Sequence, residues 1–293
     1  MHYPLQPICT DGLLISPDIP HFSVSIDSCP ALLPSAAGGG MRAGRFFNIR
    51  RILMYALEAK HLSKSYRTRK QEVAVLLDVS LQVRKGEMAA IMGPSGSGKT
   101  TLLQNLSGID RPDSGQILVD GQDLSAFSQE GLARFRRKHF GMAFQDFQLL
   151  ESLTVEENIL LPMILDRQSP SKQARQLKKV LELTGIGDFR DRGITELSGG
   201  QKQRAAIARA LIQEPDLIFA DEPTGSLDAE AAENILCCMQ DINRQAQTSI
   251  LLVTHDAHVA SFCHRILYLE HGELSGAKEP ACRRDRARKG CQG

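Results

Sequence analysis

No apolar run among the 293 residues approaches the roughly 18 that a membrane-spanning helix needs. The best candidate, Ile159-Leu160-Leu161-Pro162-Met163-Ile164-Leu165, is much shorter and carries a proline. Work at a membrane would therefore need spans from another chain. There is no C-x-x-C pair either. The seven cysteines are scattered and odd in number, which argues for free thiols in a reducing compartment over a disulfide framework. His255, His258 and His264 with Cys263 match no metalloenzyme spacing. Excess charge is also missing: a net +1 with 24% charged residues makes no case for wholesale nucleic-acid binding and is ordinary for a soluble chain with ample core.

Lysine and arginine are absent from Met1 to Met41, a stretch with much Pro and Ser that runs through Gly38-Gly39-Gly40. A secretory leader needs a basic start and a longer apolar block, so this is not one. Arg42, Arg45, Arg50 and Arg51 then gather around Phe46-Phe47, a pattern open to an unstructured extension or to an amphipathic, membrane-touching helix. Ordered patterning begins only at Tyr55. Residues 1–53 are thus expected to be a disordered extension, or an over-long reading frame whose native start is Met54. At the other end, Arg283, Arg284, Arg286, Arg288 and Lys289 make residues 276–293 a basic flexible tail, solvated or weakly drawn to anionic lipid.

The stretch that organises the remainder is Gly93-Pro94-Ser95-Gly96-Ser97-Gly98-Lys99-Thr100, which fits G-x-x-x-x-G-K-[ST]. Met88–Met92 before it reads as a buried strand, and Thr100–Leu106 after it, Thr101 included, as a helix closed by Gly108. Glycines let backbone N–H groups turn inward on a polyphosphate, and the helix N-terminus adds its dipole. Lys99 is placed to reach the β- and γ-phosphates and the Thr100 hydroxyl to bind Mg²⁺.

Around this loop, Leu57–Leu62, Val73–Leu77 and Ser80–Val83 read as strands of a small antiparallel sheet, with turns at Lys85-Gly86, Arg111–Gly115 and Asp120-Gly121. Gln116–Val119 and Phe140–Phe144 read as strands, Gln129–Lys138 as a helix. Thr154-Val155-Glu156-Glu157 is a capping box, and Ser169-Pro170 opens a helix running to Gly185 with Ala174, Leu177 and Leu181 on its apolar stripe. This block, about 146–200, predicts an inserted helical subdomain. Leu217–Ala220 and Ser249–Val253 are short buried strands separated by a helix over Ala229–Arg244. The alternation predicts an α/β fold with a mostly parallel sheet and helices on both faces.

Further motifs follow in order. Leu197-Ser198-Gly199-Gly200-Gln201 opens a helical run with Ser198 as N-cap, a second anion-binding helix start. Asp221-Glu222 stands at a strand's carboxyl end, followed by Ser226-Leu227-Asp228. His255 stands just past the Val253 strand, Gln145 ends the Phe140 strand, and Tyr66 precedes the sheet. In this ordered set, over Tyr55 to about Ser275, the chain resembles the ATP-binding-cassette ATPases, a P-loop NTPase family. The resemblance implies a cassette over residues 54–275 that binds and hydrolyses ATP. Lys99 and the loop amides hold the phosphates. Thr100, Asp221 and Gln145 organise Mg²⁺. Glu222 polarises the attacking water, His255 contacts the γ-phosphate, and Tyr66 stacks on adenine. Ser198, Gly199, Gly200, Gln201 and Asp228 close on the nucleotide of a second copy. One set of motifs per chain then implies a head-to-tail dimer with two ATPs sandwiched between copies.

Leu106–Asp110, Phe144–Leu150, Asn158–Pro162 and Val253–Ala260 resemble the bacitracin-type peptide-antibiotic resistance branch, beside the macrolide-export, lipoprotein-release and cell-division ATPases. That implies a separate permease partner, work at the cytoplasmic face of the plasma membrane, and Phe147, Leu149 and Leu150 as permease contacts or subdomain packing. Cassettes of DNA repair or translation bring coiled-coil insertions, zinc cysteines or two cassettes per chain, and none of these occurs here. A regulatory ATPase that signals through a membrane protein without transport would carry the same motor.

Overall fold

The computed structural model describes residues 54–67 and 71–278, together with Cys9–Thr10 and Leu13–Leu14. Those last four residues pair antiparallel, Cys9 opposite Leu14, within a unit of their own spanning Met1–Ala43. The rest of the N-terminal extension, with its basic segment from Arg42, lies outside the described residues, as does the basic tail beyond Lys278.

In chain order the second unit contains β1 (Tyr55–Arg67), β2 (Glu72–Arg84), β3 (Met88–Met92), α1 (Lys99–Leu106), β4 (Ser114–Val119), β5 (Gln122–Asp123), α2 (Gln129–His139) and β6 (Phe140–Phe144). It continues with α3 (Val155–Leu165), α4 (Pro170–Thr184), α5 (Gly199–Leu211), β7 (Leu217–Asp221), α6 (Ala229–Ala246), β8 (Ser249–Thr254), α7 (Ala257–Ala260), β9 (Arg265–Glu270) and β10 (Glu273–Lys278). The main sheet runs β10-β9-β3-β8-β7-β6, parallel except for the β9–β10 edge pair. A second sheet, β2-β1-β4-β5, is antiparallel throughout.

Period-two alternation decides which core each strand residue joins. Ala89 and Ile91, Leu217 and Phe219, Leu251 and Val253 pack with Leu57, Leu62, Leu76 and Val83 of the antiparallel sheet and with Leu102 and Leu106 of α1. Met88 and Ala90, Ile218 and Ala220, Ile250 and Leu252 face the other way, onto Ala205, Ile207 and Leu211 of α5 and Ile235 and Met239 of α6. That second core continues without a break into Val155, Ile159 and Met163 of α3 and Leu177, Val180 and Leu181 of α4. The helical insertion is therefore welded to the sheet through α5. Both of its caps form as the sequence requires: Thr154 and Glu157 bond reciprocally, and Gly185 closes α4 at φ 63°.

β1 runs to Arg67, past the expected Leu62, so Tyr66 lies inside the sheet opposite Val73 and does not precede it, because pairing with β2 resumes beyond the bend at His61. Other boundaries differ from the sequence reading as well. Val73–Leu77 and Ser80–Val83 are one strand, β2, because Asp78 passes through a left-handed conformation (φ 55°) opposite His61 (φ 52°) and pairing resumes beyond it. The helix behind Ser198, expected from its residue pattern over Lys202–Ile212, starts at Gly199 because Ser198 caps it, and ends at Leu211. β10 runs to Lys278, three residues past the expected end of the cassette. Among the described residues no helix is long and apolar enough to cross a membrane.

Candidate functional site

The register of the parallel sheet assembles the site. Thr254 pairs with Met92, Val253 with Asp221, and Asp221 with Phe144. The residues that leave these strands, Gly93, His255, Glu222 and Gln145, therefore emerge side by side at one carboxyl edge, where ligands of open α/β sheets bind.

Gly93–Thr100 bridges β3 and α1. A Cβ on Gly93 would sit 2.1 Å from the Leu269 carbonyl oxygen, and one on Gly98 (φ 99°) would sit 2.8 Å from the Val75 carbonyl oxygen. Only glycine lets the loop wedge between β9 and β2. Lys99 Nζ curls back to donate to the Gly93 and Pro94 carbonyls at 2.9 and 2.8 Å. Ser97 Oγ is buried with no protein partner among the described residues, and it stands 2.8 Å from the space a Gly93 Cβ would fill. The first-turn N–H groups of α1 have no partner within the helix, so loop and helix start together form an anion cradle.

Asp221, ending β7, lies against this cradle. Burial pushes its carboxyl above the ordinary range. A hydrogen bond from the Thr100 hydroxyl and the Lys99 charge pull it back, while Glu222 and Asp146 push it up further. Thr100, Asp221 and Gln145 are hard oxygen donors among neighbouring carboxylates, a set that fits Mg²⁺. Glu222 takes φ 47°, with its N–H donating to the Val253 carbonyl at 2.9 Å. Its carboxylate stands 2.7 Å from His255 Nδ1, and Thr254 Oγ1 donates to its other oxygen at 3.4 Å. Thr254 is a residue the sequence reading missed, although it directly precedes His255. It is buried, and its hydroxyl also accepts the Asp256 N–H at 3.0 Å.

Gln145 is exposed. Its amide packs on Gly225, and its carbonyl accepts from Ser226 Oγ at 3.2 Å. Asp228 is the N-cap of α6, accepting the Ala231 N–H at 2.8 Å. Ser198 and Gln201 form a reciprocal capping box at the start of α5, and Gly199 and Gly200 lie against Leu227 and Ala231. Ser198 is exposed, and among the described residues no hydrogen bond or ion pair joins Ser198–Gln201 to the Gly93–Thr100 loop.

Tyr66 stands 39% exposed with its hydroxyl donating to Asp110 Oδ2 at 2.9 Å and accepting from Thr101, which ties the ring to the start of α1. Asp110 was missed as a functional residue. It also meets Lys64 Nζ at 3.0 Å and the Arg111 N–H at 2.8 Å. Burial alone would raise the Asp110 carboxyl, but the Lys64 and Tyr66 hydrogen bonds more than reverse that and hold it below its usual range. Of the three expected permease contacts, Leu149 packs against the main core, Phe147 is half-buried and Leu150 is 47% exposed. The histidines and cysteine weighed as a metal group are engaged separately. His255 faces Glu222, His264 Nδ1 accepts the Met88 N–H at 3.0 Å, His258 meets the Phe262 ring edge, and burial raises the Cys263 thiol to about 12.

Known proteins share this chain's sequence and fold. Residues 76–225 fit the ABC transporter family model. The chain is 47% identical over 218 residues to the ABC transporter ATP-binding protein YxdL of Bacillus subtilis, covering 74% of this chain and 84% of that one. It is 44% identical over 221 residues to the bacitracin export ATP-binding protein BceA of Halalkalibacterium halodurans, covering 75% and 87%. Among solved structures, the dimeric post-hydrolysis state of the ATP-binding cassette MJ0796 bound to ADP and Pi superposes with a TM-score of 0.70 at 34% identity, covering 76% of this chain and 98% of that one. The chain therefore belongs to the ABC transporter family as an ATP-hydrolysing cassette subunit.

Proposed function

We propose that two copies of this chain, facing head to tail, clasp two ATPs, each between Lys99 of one copy and Ser198 of the other, and power a separate permease in antimicrobial-peptide export or resistance. The observation that carries this reading is the division of the site. Loop, Gln145, Glu222 and His255 share one sheet edge, while the Ser198 helix start is exposed and bonded to none of them. Its dipole and the free O–H of Ser198 suit a phosphate supplied from outside the chain. The dimeric relative supports the pairing, and a relative named for bacitracin export supports the peptide branch.

Within each half, Lys99 and the loop amides hold the β- and γ-phosphates, and Tyr66 stacks on adenine. Thr100, Asp221 and Gln145 would hold Mg²⁺, which would supply positive charge to offset that of the phosphates. Glu222 accepts the proton of the attacking water. His255 holds that carboxylate through Nδ1 and leaves its Nε2 edge for the γ-phosphate. Most of the barrier reduction comes from positioning and charge stabilisation. The place of work is the cytoplasmic face of the plasma membrane, with Leu150 and the exposed Ile164 and Leu165 of α3 offering apolar contact to the permease.

Dilution tests the reading. ATP turnover per chain should fall steeply as the protein is diluted through the dimer dissociation constant. A specific activity that stays constant down to the isolated monomer overturns the composite site. Protection against peptide antibiotics by the co-expressed permease, lost when the cassette is inactive, tests the peptide branch.

A further inference from the structure

The segment after Gln145 bends against ordinary backbone preference. Phe147 (φ 59°) and Gln148 (φ 48°) are consecutive non-glycine residues in the left-handed region, an arrangement that persists only where the surroundings enforce it. Local bonds, Phe147 N–H to the Phe144 carbonyl at 3.2 Å and Gln148 N–H to the Asp146 carbonyl at 2.6 Å, close the bend. Its own carbonyls are taken by one side chain from far along the sequence. Arg209 Nη1 donates to the Gln148 carbonyl at 2.5 Å and Nη2 to the Phe147 carbonyl at 3.0 Å. Burial lowers the Arg209 pKa, and among the described residues no carboxylate lies within ion-pair distance of it. The bidentate fork is spent on the bend. Just beyond, fully buried Asn158 of α3 accepts the Leu150 N–H at 2.8 Å and donates to the Leu150 carbonyl at 3.0 Å.

Residues 147–150 are thus pinned to two helices, and Gln145, whose carbonyl also accepts from Ser226 Oγ, is the nearest functional side chain ahead of the bend. We propose that Arg209 is a positioning residue for Gln145: the guanidinium fork fixes the left-handed bend and so sets where the Gln145 amide is presented to the nucleotide site. The proposal rests on the reading of Gln145 as part of that site. Arg209 lies on α5, the helix that Ser198 caps, ten positions after Gly199. One helix therefore carries both the outward-facing anion site and the clamp on the Gln145 loop. A shift of α5 on contact with a second copy is felt at the bend. Lysine cannot replace the fork, because a point charge does not hold two carbonyls in a fixed plane.

The test is steady-state ATP turnover of the full chain against ATP and against Mg²⁺ for Gln145→Ala, Arg209→Lys and the double variant, with ATP affinity measured separately in EDTA. Arg209→Lys should lower kcat at least tenfold and raise the Mg²⁺ concentration for half-maximal turnover. Its metal-free ATP affinity should stay within twofold of wild type, and the double variant should be no worse than Gln145→Ala alone, since residues acting through one contact are not additive. Gln148→Pro, at an exposed position, drives the bend out of the left-handed region and removes the Gln148 N–H bond, while every residue of α5, Arg209 included, stays in place. It should give the same loss, which keeps the test alive if Arg209→Lys does not fold. Additive losses, or an Arg209→Lys variant with wild-type kcat and Mg²⁺ requirement beside an impaired Gln145→Ala, overturn the role of Arg209. Wild-type behaviour of Gln145→Ala removes the reading of Gln145 itself.

Discussion

Glu222→Gln isolates the base from everything else the residue does. Glutamine has the same length, so its amide oxygen can still face His255 Nδ1 across the present 2.7 Å. The backbone, held by the Val253 carbonyl at 2.9 Å, is untouched. Two things are lost. One is the Thr254 hydroxyl bond at 3.4 Å, long for an O–H···O contact and worth at most about 1 kcal/mol. The other is the basicity of the carboxylate. A positioned general base contributes roughly 10²–10⁴ in rate, or about 2.7–5.5 kcal/mol at 1.36 kcal/mol per factor of ten, so the second loss dominates. Neutralising Glu222 also relieves its repulsion of Asp221, which works against any loss of nucleotide binding. The expected outcome is phosphate release slowed at least a hundredfold, ATP affinity equal to or tighter than wild type, and a dimer that survives gel filtration in Mg²⁺-ATP. Thr254→Val should slow turnover by no more than about tenfold. Turnover of Glu222→Gln within threefold of wild type would refute the assignment of the base.

Asp110→Asn should weaken ATP binding by about three- to tenfold, because loss of the Lys64–Asp110–Tyr66 network loosens a stacking platform worth roughly 1–3 kcal/mol; isothermal titration checks this, and an unchanged affinity with an impaired Tyr66→Ala removes Asp110 from the site. The same network and a separate Lys179–Glu214 pair set an acid limb of stability. Asp110 and Glu214 are both held below their ordinary carboxyl range, Glu214 chiefly by the Lys179 hydrogen bond, so their contribution is complete above about pH 4.5 and is lost as pH falls through the depressed values. Thermal melting temperature should therefore drop more steeply below about pH 4 in wild type than in Asp110→Asn. Phe219→Ala, at a fully buried position whose ring meets Phe140 edge-on at 5.1 Å, should cost about 3–5 kcal/mol, a fall of roughly 6–20 °C in melting temperature for a unit of this size.

The parallel sheet was legible because its strands are buried on both faces and read as short unbroken apolar runs, Ile250–Val253 and Leu217–Ala220 most clearly. Caps were legible because they use local chemistry, as at Thr154 and Ser198. What stayed hidden depends on long-range pairing. Nothing near Asp78 announces that β2 continues through it, since the partner is His61 on the opposite strand, with the Nδ1–Oδ1 contact at 2.7 Å. Arg209 and Asp110 look like ordinary surface charges in sequence, and only the fold brings them to Phe147 and to Tyr66. That α3 and α4 share one core with the sheet was not legible, because it depends on which face of α5 each alanine takes.

Motif residues that share a heading do not share a task, and the helix caps divide them. Ser198 caps α5 by accepting the Gln201 N–H, which leaves its own O–H free to donate, so capping and phosphate contact are compatible in one hydroxyl. Asp228 caps α6 by accepting the Ala231 N–H at 2.8 Å, and what it has left over is a second carboxylate oxygen, also an acceptor. Set about 4 Å from a phosphate, that charge repels by about 1 kcal/mol in water and about 4 kcal/mol at the effective dielectric of a protein surface. That repulsion argues for an indirect role of Asp228 in the proposed nucleotide site. Asp228 fixes the start of α6 and the Leu227 side chain that lies against Gly199, and so it supports the Ser198 helix start from behind. Asp228→Asn keeps the cap and removes the charge, so it should leave ATP affinity unchanged or tighter. Asp228→Ala removes the cap, costs about 1 kcal/mol in stability and should lower turnover by loosening Ser198. If Asp228→Asn instead weakens ATP binding tenfold, the carboxylate is a direct ligand and the indirect role is wrong.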